Sequence, residues 1–234
     1  MSRPASQGAM SHREKVRVDA NTSVSVEVAA PPEFRSGGTP ALVLAPGAGS
    51  NMENPFLASL TRGLSAEVLT ARFNFPYQES GRGAPDAQRR LEGTYRAVLA
   101  WLRGHSELAP GLVFAGGKSM GGRIASHLAA AGEPLAGLVF LGYPLHPPGQ
   151  PERLRDSHLP AITCPMLFVQ GSRDRLCDLD LLRPVLQKLK APHRLHVIDQ
   201  GDHSFKVPKR TGRSEADIQA EIRDEVRGFM EEIG

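Results

Sequence analysis

Short apolar runs of strand length recur along this chain, each set off by turn residues and most followed by a stretch with helical spacing. ALVLAP (41–46) is continuously apolar, as a strand buried on both faces of a parallel sheet requires. VLTARFNF (68–75), LVFAGG (112–117), GLVFLGYP (137–144), MLFVQG (166–171) and RLHVID (194–199) read as further strands. Between them, 54–65, 86–104, 119–131 and 179–189 read as helices. In the second of these, Leu91, Tyr95, Val98, Leu99 and Leu102 are spaced for one face, and Gly104 is a stop signal. A last helix over 214–232 carries Ile218, Ile222, Val226 and Phe229 on one stripe, and alternation at Val16, Val18, Val24, Val26 and Val28 predicts one or two half-buried strands near the start. This rhythm predicts an α/β fold, a mostly parallel central sheet with helices on both faces. Ligand chemistry in such a sheet gathers at the carboxyl ends of the strands.

A length of 234 residues favours one domain. The polar, small residues over 1–14 predict a flexible tail, with a single domain over 15–234. A chain of this size buries roughly 70% of its unfolded surface and needs neither a metal nor a disulfide to hold its core. The 28 Lys+Arg and 25 Asp+Glu give a net charge of +3 and are mixed along the chain, which argues against a nucleic-acid partner. No apolar run approaches the ~20 residues of a membrane span. The opening MSRPASQGAMSHREK has no apolar segment suited to a signal peptide. With only Cys164 and Cys177, a reducing, cytoplasmic compartment is expected. No cofactor or metal motif is read.

After LVFAG comes GKSMGG (117–122), a G-x-S-x-G pattern placed between a strand and a helix. The spacing has a steric cause: the serine occupies a sharp, strained turn, and glycines on either side let strand and helix approach. Ser119 is thereby exposed at a helix amino end, where free N–H groups favour developing negative charge. Alone the pattern is also that of an ordinary β–α turn. A P-loop is excluded, because its first glycine would fall at Leu112 and residues 112–115 are needed as a strand.

A serine nucleophile needs a base and a carboxylate to orient that base. Asp174 follows MLFVQG in Ser172-Arg173-Asp174, and His203 follows RLHVID in Gly201-Asp202-His203. Both fall just beyond strand carboxyl ends, in the order Ser, Asp, His. His146 follows a strand too, but it precedes the acid and sits in the Pro-rich YPLHPPGQP. His12, His105, His127, His158 and His193 read as surface residues, His196 as a strand residue with a packing role, and Asp178 and Asp180 as the start of a helix. An oxyanion hole would use the N–H of Met120 and one from the glycine-rich 46–51 loop, Ala48 ahead of Gly49.

LAPGAGSNMENPFL, RFNFPY, GGKSMGGR, YPLHPPGQPERLRD, QGSRD and GDHSF, in that order, resemble the α/β-hydrolase superfamily over roughly residues 22–232. More narrowly they resemble its dienelactone-hydrolase-like branch related to testis-expressed protein 30 and the hydrolase-like domain of KAT8 regulatory complex subunit 3. The resemblance implies Ser119 as nucleophile, Asp174 as acid and His203 as base. Many relatives carry a histidine where this chain has Pro46, a change that leaves the backbone donors in place. The interval between GLVFLGYP and MLFVQG is too short for a lid domain, so an open site for a small soluble ester is expected. Gly49, Tyr77, Lys118 and Tyr143 are the expected substrate-binding residues, with Phe73 and Phe75 as further lining. Lys118, Arg173 and Arg175 point to an anionic group on the substrate. The alternative is a non-catalytic interaction protein on the same fold, against which the intact Ser, Asp, His order argues.

Overall fold

The structure, a computed structural model, describes residues 10–234. Eight strands among these residues form one sheet: β1 (Met10–Arg17), β2 (Ser23–Ala30), β3 (Ala41–Ala45), β4 (Leu69–Phe73), β5 (Val113–Lys118), β6 (Gly137–Leu141), β7 (Met166–Gly171) and β8 (His193–Ile198). Their order is β1-β2-β4-β3-β5-β6-β7-β8. The β1/β2 and β2/β4 pairs are antiparallel and every other pair is parallel. Six helices pack on or beside the sheet: α1 (Pro55–Leu64), the single turn α2 (Pro76–Glu79), α3 (Gln88–Arg103), α4 (Met120–Ala130), α5 (Leu179–Leu186) and α6 (Glu215–Glu231).

The period-2 geometry of the central strands divides the core in two. Leu42 and Leu44 of β3 pack with Leu57 and Leu60 of α1 and Ile222 and Val226 of α6 on one face. Val43 and Ala45, from the same strand, join Tyr95, Val98, Ile124 and Leu128 of α3 and α4 on the other. Every residue of β3, β4 and β6 is buried, as two covered faces require. Between β6 and β7 the chain forms only a 3₁₀ turn, Leu159–Ala161, and no lid domain stands over the sheet.

Residues 10–14, expected to belong to a flexible tail over 1–14, are instead part of β1, paired with β2 from Met10↔Ala30 onward, and residues 1–9 lie outside the described residues. The sequence HREK carries little apolar signal because β1 is an edge strand, held by backbone pairing, where charged side chains are favoured. Arg13 bonds Glu27 of β2 across the pair at 3.1 Å.

Tyr95 links α3 to the centre of the sheet. Its hydroxyl is fully buried, accepts the Gly116 N–H at 2.8 Å and lies 2.7 Å from the carbonyl oxygens of both Val43 and Gly116. One hydroxyl proton serves one of those carbonyls at a time. Tyr95→Phe removes this buried partner from the Gly116 N–H. It is expected to lower unfolding stability by about 1–3 kcal/mol in urea denaturation; an unchanged midpoint would show that the sheet does not depend on this hydroxyl.

Candidate active site

The elbow forms at the junction of β5 and α4, where the chain reverses over one residue. Ser119 has φ 51° and ψ −114°, a conformation that costs a non-glycine residue of order 1–3 kcal/mol and persists only where its surroundings impose it. Those surroundings are visible at the two flanking glycines. A Cβ on Gly117 (φ 153°) or on Gly121 would lie 2.2 Å from the carbonyl oxygen of Ala45, at the end of β3. Strand and helix therefore close onto one carbonyl from both sides, which only glycine at both positions permits.

Three side chains meet at this edge. His203 Nε2 lies 2.9 Å from Ser119 Oγ, and His203 Nδ1 lies 2.7 Å from Asp174 Oδ2. An ionised carboxylate only accepts, so Nδ1 carries the proton and Nε2 is free to accept the Ser119 hydroxyl proton. The Asp174 side chain is fully buried. Its Oδ1 accepts the Leu176 N–H at 2.8 Å and its Oδ2 is approached by Gln170 Nε2 at 3.3 Å. Gln170, itself fully buried, also accepts the Tyr143 N–H through Oε1. A polar residue inside the buried run MLFVQG was the signal for this supporting role, and it was not among the expected site residues.

The 46–51 loop lies against the serine. A Cβ on Gly47 would be 3.6 Å from Ser119 Cβ. The N–H of Ser119 is occupied by Leu141 O at 3.1 Å. Met120 opens α4, where an N–H has no intrahelical acceptor, and Ala48 is exposed with no acceptor for its N–H among the described residues. Gly49 is different, because its N–H faces the Tyr77 phenol oxygen.

Several expected substrate contacts are elsewhere. Tyr143 is fully buried; its hydroxyl donates to Arg155 O at 2.7 Å and its ring packs on Phe140 and Phe168. Tyr77 is also buried; its hydroxyl makes a long, weak contact of 3.5 Å with Gly47 O and accepts from Gln78 Nε2 at 3.0 Å, so it braces the loop instead of facing solvent. Burial pushes the Tyr77 phenol pKa up, against the lowering by the Gly49 N–H. Phe73 and Phe75 are core residues. Lys118 turns inward and donates to His203 O. Of Gly49, Tyr77, Lys118 and Tyr143, only Gly49 is exposed, and Arg173 and Arg175 are exposed as well.

The remaining histidines divide by environment. His146 is buried, with Nδ1 3.0 Å from Pro147 O and Nε2 without a partner among the described residues. His127 and His158, expected at the surface, stack with ring centroids 3.7 Å apart, and His158 bonds Ser126 Oγ at 2.7 Å. Burial, reinforced by His127 and Arg123, pushes the His158 pKa down to about 4. His196 bonds Glu221 of α6 at 2.7 Å. Asp178 caps α5 through the Asp180 N–H, as its position predicts. Among the described residues no group of three His, Cys, Asp or Glu side chains could hold a metal ion.

A parallel sheet with an antiparallel edge, helices on both faces and a serine on a strained strand-to-helix turn is the architecture of the α/β hydrolases. The alpha/beta hydrolase domain model matches residues 38–231, and the chain belongs to that family. Among solved structures it is similar to a dienelactone hydrolase from Anabaena variabilis, at 21% identity over 96% of this chain and 99% of that one, with a TM-score of 0.75. A serine hydrolase without a lid from Xanthomonas campestris matches at 22% identity over 95% of each chain, with a TM-score of 0.72. A thermophilic esterase from Thermogutta terrifontis matches at 16% identity over 99% of this chain and 96% of that one, with a TM-score of 0.77. At these identities the likeness is one of fold.

The packing at the elbow can be tested against a glycine that has room. Gly121→Ala drives a methyl into the Ala45 carbonyl and is expected to destabilise by about 1–3 kcal/mol in urea. Gly228→Ala in α6, where no atom lies within 4 Å of the new Cβ, is expected to stabilise by about 0.5–1 kcal/mol. Equal effects at the two positions would refute the close approach.

Proposed function

We propose that this protein is a serine hydrolase that transfers an acyl group from a small ester to water. The observation that carries this reading is the hydrogen-bonded row from Ser119 through His203 to Asp174. Ser119 Oγ bonds to the acyl carbon while its proton passes to His203 Nε2. Asp174 holds the imidazole in the required tautomer and stabilises the imidazolium. The N–H groups of Ala48 and Met120 stabilise the oxyanion. On collapse the ester C–O bond breaks, and His203 gives its proton to the departing alcohol. Water then repeats the sequence on the acyl-enzyme and restores Ser119.

The absence of a lid suits a soluble substrate that reaches the serine directly. A cavity of about 530 Å³ beside His203 is lined by Arg173, Arg175 and Lys206. None of these three is ion-paired among the described residues. The one carboxylate in the same wall, Asp202, uses Oδ1 to accept the N–H groups of Ser204 and Lys206. This excess of cations favours an ester bearing a negative charge away from the reacting carbonyl. The free thiols Cys164 and Cys177 favour a reducing, cytoplasmic setting. The motif order favours the testis-expressed protein 30 branch of the superfamily.

Ser119→Ala is expected to lower kcat on p-nitrophenyl esters by a factor on the order of 10⁴–10⁶, and to abolish labelling by a fluorophosphonate probe. Wild-type turnover in the alanine variant would refute the assignment, and a folded wild-type protein that the probe never labels would favour an interaction role for the fold. The charge reading is tested with a neutral ester and its hemisuccinate counterpart. The double change Arg173→Ala, Arg175→Ala is expected to raise KM for the anionic ester by roughly threefold to tenfold at low salt, with KM for the neutral ester unchanged. Equal effects on both esters would refute it.

A further inference from the structure

Lys118, the residue before Ser119, is the one lysine whose side chain turns inward at this edge. Its ammonium Nζ donates to the backbone carbonyl of His203 at 2.5 Å and lies 5.1 Å from the centroid of the Phe205 ring. The space for it is left by Gly142, at the end of β6, where a Cβ would lie 2.7 Å from Nζ. Two segments thus meet at this ammonium: the end of β6 and the loop carrying His203.

Holding a cation there is expensive. Burial disfavours the charged form and pushes the Lys118 pKa down to about 8, against the opposing fields of Asp174 and Asp202. Those two carboxylates and the His203 imidazole are the titratable groups facing it, and no carboxylate lies within ion-pairing distance of Nζ among the described residues. A methionine would fill similar volume without the desolvation penalty, so packing alone does not explain the ammonium.

The bond to His203 does. The loop after β8 is organised internally by Asp202, which accepts the N–H groups of Ser204 and Lys206 and whose carbonyl accepts that of Phe205. The same loop is anchored to the end of β7 by Gly201 O, which accepts the Arg173 N–H at 2.8 Å, and to the core by the buried Phe205 ring against Phe56, but neither contact is made to the His203 backbone. Lys118 bonds the backbone of His203 itself, from the position adjacent to Ser119.

We propose that Lys118 is a positioning residue whose ammonium clamps the His203 backbone to the nucleophile elbow and so sets the Ser119–His203 contact. The proposal rests on the hydrolase reading above. Deprotonation leaves an amine that donates more weakly than the ammonium, so the clamp slackens as pH rises through about 8. Reactivity at Ser119 should therefore fall on the alkaline side, for a reason that lies outside the Ser–His–Asp row.

The test follows fluorophosphonate labelling of Ser119 against pH in the wild-type protein, Lys118→Met and Lys118→Arg, with folding checked by circular dichroism. Wild-type labelling is expected to drop by roughly threefold to tenfold above about pH 8. Lys118→Met should label about 10- to 100-fold more slowly at neutral pH, as small misplacements of a base produce, and without the alkaline drop. Lys118→Arg keeps its charge throughout the range and should also lose the drop. A Lys118→Met rate equal to wild type, or an alkaline drop that persists in the variants, would overturn the proposal. Should Lys118→Met fail to fold, the pH profile of Lys118→Arg decides alone. Failure of the hydrolase reading shows differently, as a wild-type protein that does not label. In that event hydrogen exchange of the 201–206 backbone in the variants reads the clamp: faster exchange than wild type supports it, and unchanged exchange overturns it.

Discussion

The carboxyl edge of this sheet depends on one close approach, that of the β5–α4 turn to the carbonyl oxygen of Ala45. Gly117 and Gly121 both back onto that oxygen at distances no side chain could share. With the two glycines fixed against β3, the single residue between strand and helix that must reverse the chain is Ser119, and its positive φ follows. The strain is held by everything that packs β3 against β5, including the buried Tyr95 hydroxyl between them.

The other two members of the row are held by different means. Asp174 is held by a fully buried amide, Gln170, and by a backbone N–H, so its orientation is a property of the β7 core. His203 lies on a longer connection, in a turn that Asp202 closes on itself. That turn is anchored by the Arg173 N–H on Gly201 O and by the buried Phe205 ring, and the Lys118 bond is made directly to the His203 backbone. The row thus combines a serine fixed by packing, an acid held by a buried amide and a backbone N–H, and a base whose backbone accepts a charge-assisted hydrogen bond. Packing does not titrate between pH 6 and 10, whereas an ammonium in this setting does.

Most of the fold was legible because its signals lie in one dimension. Runs such as ALVLA and GLVFL need no knowledge of neighbours to read as strands covered on both faces, and Gly104 marks a helix end by its own chemistry. The triad candidates were legible for the same reason, each lying within a few residues of a strand's end. The failures share a cause as well. Tyr77, Tyr143 and Lys118 lie within a few residues of the edge in sequence, but which way a side chain turns there is decided by segments distant in the chain, such as Arg155 for Tyr143 and His203 for Lys118. The first half of β1, residues 10–14, was read as tail for the opposite reason: an edge strand needs only a backbone partner, and its polar side chains there leave no periodic trace.

Removing Tyr143, Tyr77 and Lys118 from the substrate's surroundings alters what can select a substrate. The aromatic wall expected around the serine is core, and the connection between β6 and β7 carries no lid that could close over a ligand. An open site with few apolar contacts gains little from hydrophobic burial, since that contribution scales with the area taken from water. What remains at the rim is charge, in Arg173, Arg175 and Lys206 beside His203. Exposed charges act at longer range than apolar contacts but are screened by salt over about 10 Å. On the proposed hydrolase reading, selection would rest on electrostatic steering more than on shape, favouring a substrate by where it carries its negative charge more than by the length of its acyl chain.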